Sequence, residues 1–226
     1  MFQKFFIYIF GLSLIFLANP HIHAASTYIE GQVNYTQIND VENSGNTGLG
    51  GYTLNNYRGN NKYESDTNLG FEFGAKDISD TNVRVALSYS KTKIKLKSIS
   101  GSGTISDGTN TLDLNINATR AGVESVGFTF DNDVKAYSLN AYYDFETNSN
   151  FIPYLGFGLG QVDIENANDK EISKSLYVGG KRFVNDQMYV GLKGAYTMID
   201  GPSDKIGLTY EDITLKTLSL IVGYNF

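Results

Sequence analysis

The sequence closes on Leu218-Ser219-Leu220-Ile221-Val222-Gly223-Tyr224-Asn225-Phe226, and the spacing of its apolar residues decides the fold. Successive side chains of an extended strand point to opposite faces. Leu218, Leu220, Val222, Tyr224 and Phe226 therefore share one face. Ser219, Ile221, Gly223 and Asn225 share the other, where Ile221 is the one large apolar residue. A strand with one unbroken greasy face suits a wall between lipid and a packed polar lumen. It would also suit the last strand of a soluble sheet, so the rest of the chain must separate the two.

At the other end, residues 1–25 have the layout of a secretory signal. Lys4 supplies the positive charge, the run from Phe5 to Ala18 is apolar, Asn19-Pro20 breaks it, and Ala24, Ala25 and Ser26 offer a cleavage site. The run is shorter than the ~20 residues of a spanning helix, so a cleaved signal is expected rather than an anchor. The exported part, 26–226, is expected to be one domain. Of 18 basic residues, all but Lys4 remain, leaving 17 against 24 acidic ones and a net charge near −7. That field repels phosphate backbones, so no nucleic-acid partner is expected. There is no cysteine, and both histidines, His21 and His23, fall in the signal. The exported chain thus lacks the usual base for activating a serine or water. No catalytic residue is singled out and no enzyme activity is expected. Loop carboxylates such as Asp131, Asp133, Asp163 and Glu165 lack the regular spacing of a calcium loop, so neither metal nor cofactor is expected.

Two-residue periodicity recurs in eight segments: 27–38, 68–76, 82–97, 134–145, 151–162, 173–183, 187–198 and from about 210 to the end. One face carries residues such as Val33, Leu69, Phe71, Leu87, Leu139, Phe157, Leu176 and Leu192. The other carries Gly, Ser, Asn and charged residues. A soluble lipid-carrying barrel would invert this arrangement. Long connections at about 39–67, 98–133, 163–172 and 199–209 alternate with short ones at 77–81, 146–150 and 184–186. This predicts an all-β, membrane-spanning, antiparallel up-and-down β-barrel of eight strands. Four surface loops stand at one end and both termini at the other. A ten-strand count is the alternative, because Leu112, Leu114 and Ile116 alternate with polar residues, as do Val126, Phe128 and Phe130. The first of these runs is too short to cross, so a hairpin over about 111–130, standing above the membrane and continuing the wall, is expected instead.

Asn140-Ala141-Tyr142-Tyr143-Asp144-Phe145, a short turn, and Pro153-Tyr154-Leu155-Gly156-Phe157-Gly158-Leu159-Gly160 together resemble the central hairpin of the small opacity-protein and OmpA-like (OmpX-like) outer-membrane barrels. Tyr28-Ile29-Glu30-Gly31 and Gly223-Tyr224-Asn225-Phe226 are similar to that family's first and last strands. The resemblance spans nearly the whole exported chain and implies eight strands with freely varying loops, in structural surface proteins, antigens or adhesins. The chain departs from the family in having no tryptophan, which leaves Tyr89, Tyr137, Tyr143, Tyr196 and Tyr224 to take the interfacial positions.

Glu72, Arg84, Asp144, Lys181 and Lys193 fall on polar faces and are expected to point into the lumen. Eight strands leave room there for side chains but not for an aqueous pore. Buried charges must pair, and the 77–81 turn joins the strands of Glu72 and Arg84, so those two are the expected pair. Leu220, Val222, Tyr224 and Phe226 resemble the signal read by the outer-membrane assembly machinery. The expected location is the bacterial outer membrane, and the expected state a monomer. Expected partners are outer-membrane lipid, the assembly machinery and a surface ligand or host protein, bound by strand addition to the 111–130 hairpin. The expected role is structural and interactive, with a small diffusion channel as the alternative.

Overall fold

The computed structural model describes residues 26–78, 81–125 and 131–226. Residues 1–25, where a signal is expected, and the hairpin candidates Val126, Phe128 and Phe130 lie outside the described residues. In chain order the elements are β1 (Ser26–Ile38), β2 (Val41–Leu49), β3 (Tyr52–Tyr63), β4 (Asp66–Lys76), β5 (Val83–Ile94), β6 (Leu96–Ser106), β7 (Thr111–Thr119), α1 (Arg120–Ser125), β8 (Asn132–Asp144), β9 (Phe151–Ile164), β10 (Glu171–Phe183), β11 (Met188–Ile199), β12 (Leu208–Tyr210) and β13 (Ile213–Asn225).

Eight of these strands close into a barrel, each antiparallel to its neighbours, in the circular order β1-β4-β5-β8-β9-β10-β11-β13. The quoted C-terminal stretch lies almost wholly in β13. It pairs on one side with β11 and on the other with β1, with Val222 opposite Gly31 and Leu220 opposite Val33. The Phe226 N–H donates to the Thr27 carbonyl and finishes the seam. A closed wall leaves no unpaired edge to be stranded in hydrocarbon. Its outer surface is greasy: Leu69 is 72% exposed and Leu220 63%, with Phe71, Phe157, Leu176 and Leu192 similarly bare. So continuous an apolar surface is stable only against lipid. The eight-strand count stands, and the ten-strand alternative does not.

Beyond the barrel the structure departs from the sequence reading. The stretches 39–67 and 98–133 are largely sheet rather than loop. β2, β3, β6, β7 and β12 form a second sheet in the order β12-β2-β3-β6-β7. It continues the wall upward. β3 runs into β4 across residues 64–65, β5 into β6 across Lys95, and the Glu64 N–H donates to the Lys95 carbonyl. The expected strand 82–97 is thus divided at Lys95. Likewise β13 begins at Ile213, and Tyr210 belongs to the short β12. These strands escape a periodicity search because they are polar on both faces, as in Ser100-Gly101-Ser102-Gly103-Thr104.

Leu112, Leu114 and Ile116 lie on β7, but the partner of β7 is β6. Gly103 stands opposite Leu114, and Gly101 opposite Ile116. The hairpin is therefore 96–119, not 111–130, and the chain leaves β7 directly into α1. Leu114 and Ile116 pack against a buried cluster of Leu54, Tyr57 and Leu208. Leu208 sits on the opposite edge strand, so the sheet curls until its two edges share one core.

Candidate functional site

The lumen is filled in layers. Four inward tyrosines each face a glycine directly across the strand pair: Tyr28 on Gly74, Tyr142 on Gly156, Tyr154 on Gly179 and Tyr189 on Gly223. A Cβ at any of these glycines would run into the facing ring. Glycine on the wall is thus what lets the rings lie flat inside a narrow barrel. Among the rings sit three acids and three bases. Lys193 Nζ lies 2.7 Å from Glu30 Oε1 and 3.4 Å from Glu72 Oε2. Asp144 takes Arg84 Nε at 3.0 Å and Lys181 Nζ at 2.6 Å. Glu72 also accepts the hydroxyls of Tyr28 and Tyr142, each at 2.7 Å. The Arg84 guanidinium lies 4.6 Å from the Tyr142 ring centre and 4.9 Å from that of Tyr154, a cation–π cage. The charges balance, and each carboxylate is hydrogen-bonded, which is the condition under which buried ions persist.

Glu72 and Arg84 do not pair directly. The tilted register sets Glu72 opposite Ser88 on β5 and opposite Glu30 on β1. Arg84, further down β5, reaches Asp144 instead. Tyr28 joins the two, donating to Glu72 and accepting from Arg84 Nη1 at 3.2 Å. Glu30, one of the most buried side chains of the chain, completes the cluster. Its even position on the polar face of β1 was the available signal.

Above this layer a cavity of about 110 Å³ is lined by small hydroxyls and amides, among them Asn34, Ser88, Ser138 and Ser175. It has room for a few waters. Above it, at the end where the second sheet begins, Val41, Ile94, Val134, Val162, Ile164, Ile199 and Ile213 form an apolar plug. Most of these lie at inward positions near the outer ends of barrel strands. There the polar inner face turns greasy, a change of pattern that is itself visible in the sequence.

The outer sheet offers a different surface. β7 is its edge strand, and among the described residues nothing pairs with its other side. Leu112, 69% exposed, stands near its tip. In the β6–β7 turn Gly108 takes φ 92°, and Asp107 accepts from the Asn110 and Thr109 amides at 2.7 and 2.8 Å. These bonds hold its carboxyl below the usual range. Burial, and then the Asp204 carboxylate that accepts its hydroxyl at 3.0 Å, push the Tyr210 phenol up. Among the described residues no group of three or more acidic, histidine or cysteine side chains could hold a metal ion. At the opposite end Phe226 is 67% exposed, its ring 5.1 Å from that of Tyr224. Tyr89, Tyr137, Tyr143 and Tyr196 face outward.

A closed eight-stranded antiparallel wall, greasy outside and polar inside, is the architecture of the small outer-membrane β-barrels. The crystal structure of Neisserial surface protein A has that fold, with a TM-score of 0.54 at 15% identity over 88% of this chain and 97% of the other. A major outer membrane protein from Thermus thermophilus matches with a TM-score of 0.50 at 14% identity, over 90% of this chain and 100% of that one. No family model and no curated protein sequence matches the chain.

Proposed function

We propose that this chain is a non-catalytic surface protein of the bacterial outer membrane. In this reading the filled barrel is an anchor, and the curled outer sheet binds a surface ligand or host protein by strand addition to β7. The observation that carries the reading is the edge of β7, unpaired among the described residues and held away from the barrel on a sheet that continues the wall. Strand addition takes its affinity from main-chain hydrogen bonds, which such an edge supplies. The lack of histidine and cysteine in 26–226 supports the absence of catalysis. Phe226, exposed at the terminus with Tyr224 beside it, serves in this reading as the mark recognised by the assembly machinery.

Lysines on an exposed edge block strand pairing, so Leu112→Lys/Asn115→Lys is the test. Binding of the refolded protein to cultured cells is expected to fall at least tenfold, with the barrel intact. Undiminished binding would remove β7 from the reading. The diffusion-channel alternative is disfavoured by the charged layer and the apolar plug in series. Planar-bilayer recording of the refolded protein is expected to be silent, and steady single-channel openings would restore that alternative.

A further inference from the structure

β11 turns Leu192, Gly194 and Tyr196 toward lipid, and Gly194 stands directly between Val178 of β10 and Leu218 of β13. With no side chain at 194, the wall opens there into a groove of about 720 Å³, which reaches from Leu155 to Lys216 and is overwhelmingly apolar. A surface bathed in hydrocarbon fills such a recess with an acyl chain, since an empty one forfeits its dispersion contacts. The upper end of the groove is different in kind. Lys216 stands there between its cross-strand partners Tyr196 and Gln37. It is exposed, and among the described residues it has no ion-pair or hydrogen-bond partner. Lys174, also near the outer end of its strand, is held by Asp200 at 3.2 Å. An unpaired cation three residues into β13, at the head of an apolar groove, matches the phosphate of a lipid whose chain lies below it.

We propose that this groove is a binding site for one anionic phospholipid, with an acyl chain against Gly194 and the phosphate at Lys216. A second copy of the chain is the weaker occupant. Two barrels related by an axis along the membrane normal would bring both Lys216 side chains to one height in the same interface.

The test is native mass spectrometry of the folded protein in detergent, titrated with phosphatidylglycerol or with zwitterionic phosphatidylcholine. Wild type is expected to retain one phosphatidylglycerol about fivefold more readily than phosphatidylcholine, the factor for a single interfacial lysine. Lys216→Gln should equalise the two lipids. Gly194→Leu should lose both, and it should fold, because a Cβ there meets nothing closer than Val178 Cγ1 at 3.4 Å. Heat-dependent gel mobility reports folding for each variant. Equal retention of the two lipids by wild type, or undiminished retention by Gly194→Leu, overturns the proposal. So do dimers that vanish in Gly194→Leu, which would assign the groove to self-association.

Discussion

Lys193→Met keeps a long apolar stem in the lumen and removes one charge from a balanced set. Lys193 is the cation nearest both Glu30, at 2.7 Å, and Glu72, at 3.4 Å. All three side chains are almost fully buried. Without the ammonium, Glu72 keeps its bonds from Tyr28, Tyr142 and Asn140. Glu30 keeps those from Tyr189 and Gln32. The lumen nonetheless holds three carboxylates against two cations. Leaving a buried charge without its partner costs about 3–5 kcal/mol. With a urea slope of ~2 kcal/mol/M, the midpoint for unfolding from detergent micelles should fall by roughly 2 M. Glu30→Gln in the same chain restores the balance and keeps a group that can accept from Tyr189, so the double variant should recover more than half of that loss. Two results would refute the reasoning: a single variant that loses under ~1 kcal/mol, or a double variant no more stable than the single. The first would mean that water reaches the cluster and screens it, and the second that the loss comes from packing or hydrogen bonds rather than from unbalanced charge.

Gly156→Val should destabilise the barrel by about 1–3 kcal/mol through overpacking onto the Tyr142 ring. Gly31→Val, where a Cβ meets nothing within 4 Å, should change the same urea midpoint little. Ile199→Ala in the plug should cost about 2–4 kcal/mol yet leave bilayer recordings silent, because the charged layer beneath still closes the lumen. Phe226→Ala is expected to lower the amount of barrel inserted in cells while leaving the purified protein's urea midpoint within ~0.5 kcal/mol; equal loss in both assays would make the residue merely structural. The carboxyl of Asp107 is depressed in the folded turn, so its contribution is complete above the ordinary carboxylate value near 4 and is lost as pH falls through the folded value. Amide exchange at Asn110 should quicken on that acidic side alone, and in Asp107→Asn it should be pH-independent once intrinsic chemistry is divided out.

The wall was legible because membrane strands obey a strict two-residue rule, and lipid enforces it along the whole crossing. Val33, Phe71, Leu155, Leu192 and Leu220 each face outward as their positions require. The second sheet was not legible, because strands in water need no greasy face. Ser98 to Thr104 and Glu42 to Gly48 are held by pairing to neighbours already in place, and pairing leaves no mark on one strand's composition. The lumen lies between these cases. Parity placed Glu72, Arg84, Asp144, Lys181 and Lys193 inside, but the partners depend on strand tilt. Adjacent strands bring Glu72 opposite Ser88, and only the closed barrel brings it to Lys193 across the interior.

The tyrosine–glycine pairs show how a lumen without disulfides is filled. An eight-stranded wall leaves an interior just wide enough for side chains, and a tyrosine lying over a wall glycine fills two residues' share of that space. Four such pairs leave polar tips that reach the centre. Three of those tips, on Tyr28, Tyr142 and Tyr189, bind the carboxylates of Glu72 and Glu30. The same rings flank Arg84 and Lys181. Aromatic packing and ion pairing are therefore one network. The polar outer sheet, which has only a small apolar core of its own around Leu54, Tyr57 and Leu208, is carried on this packed base by direct continuation of the strands, β3 into β4 and β5 into β6.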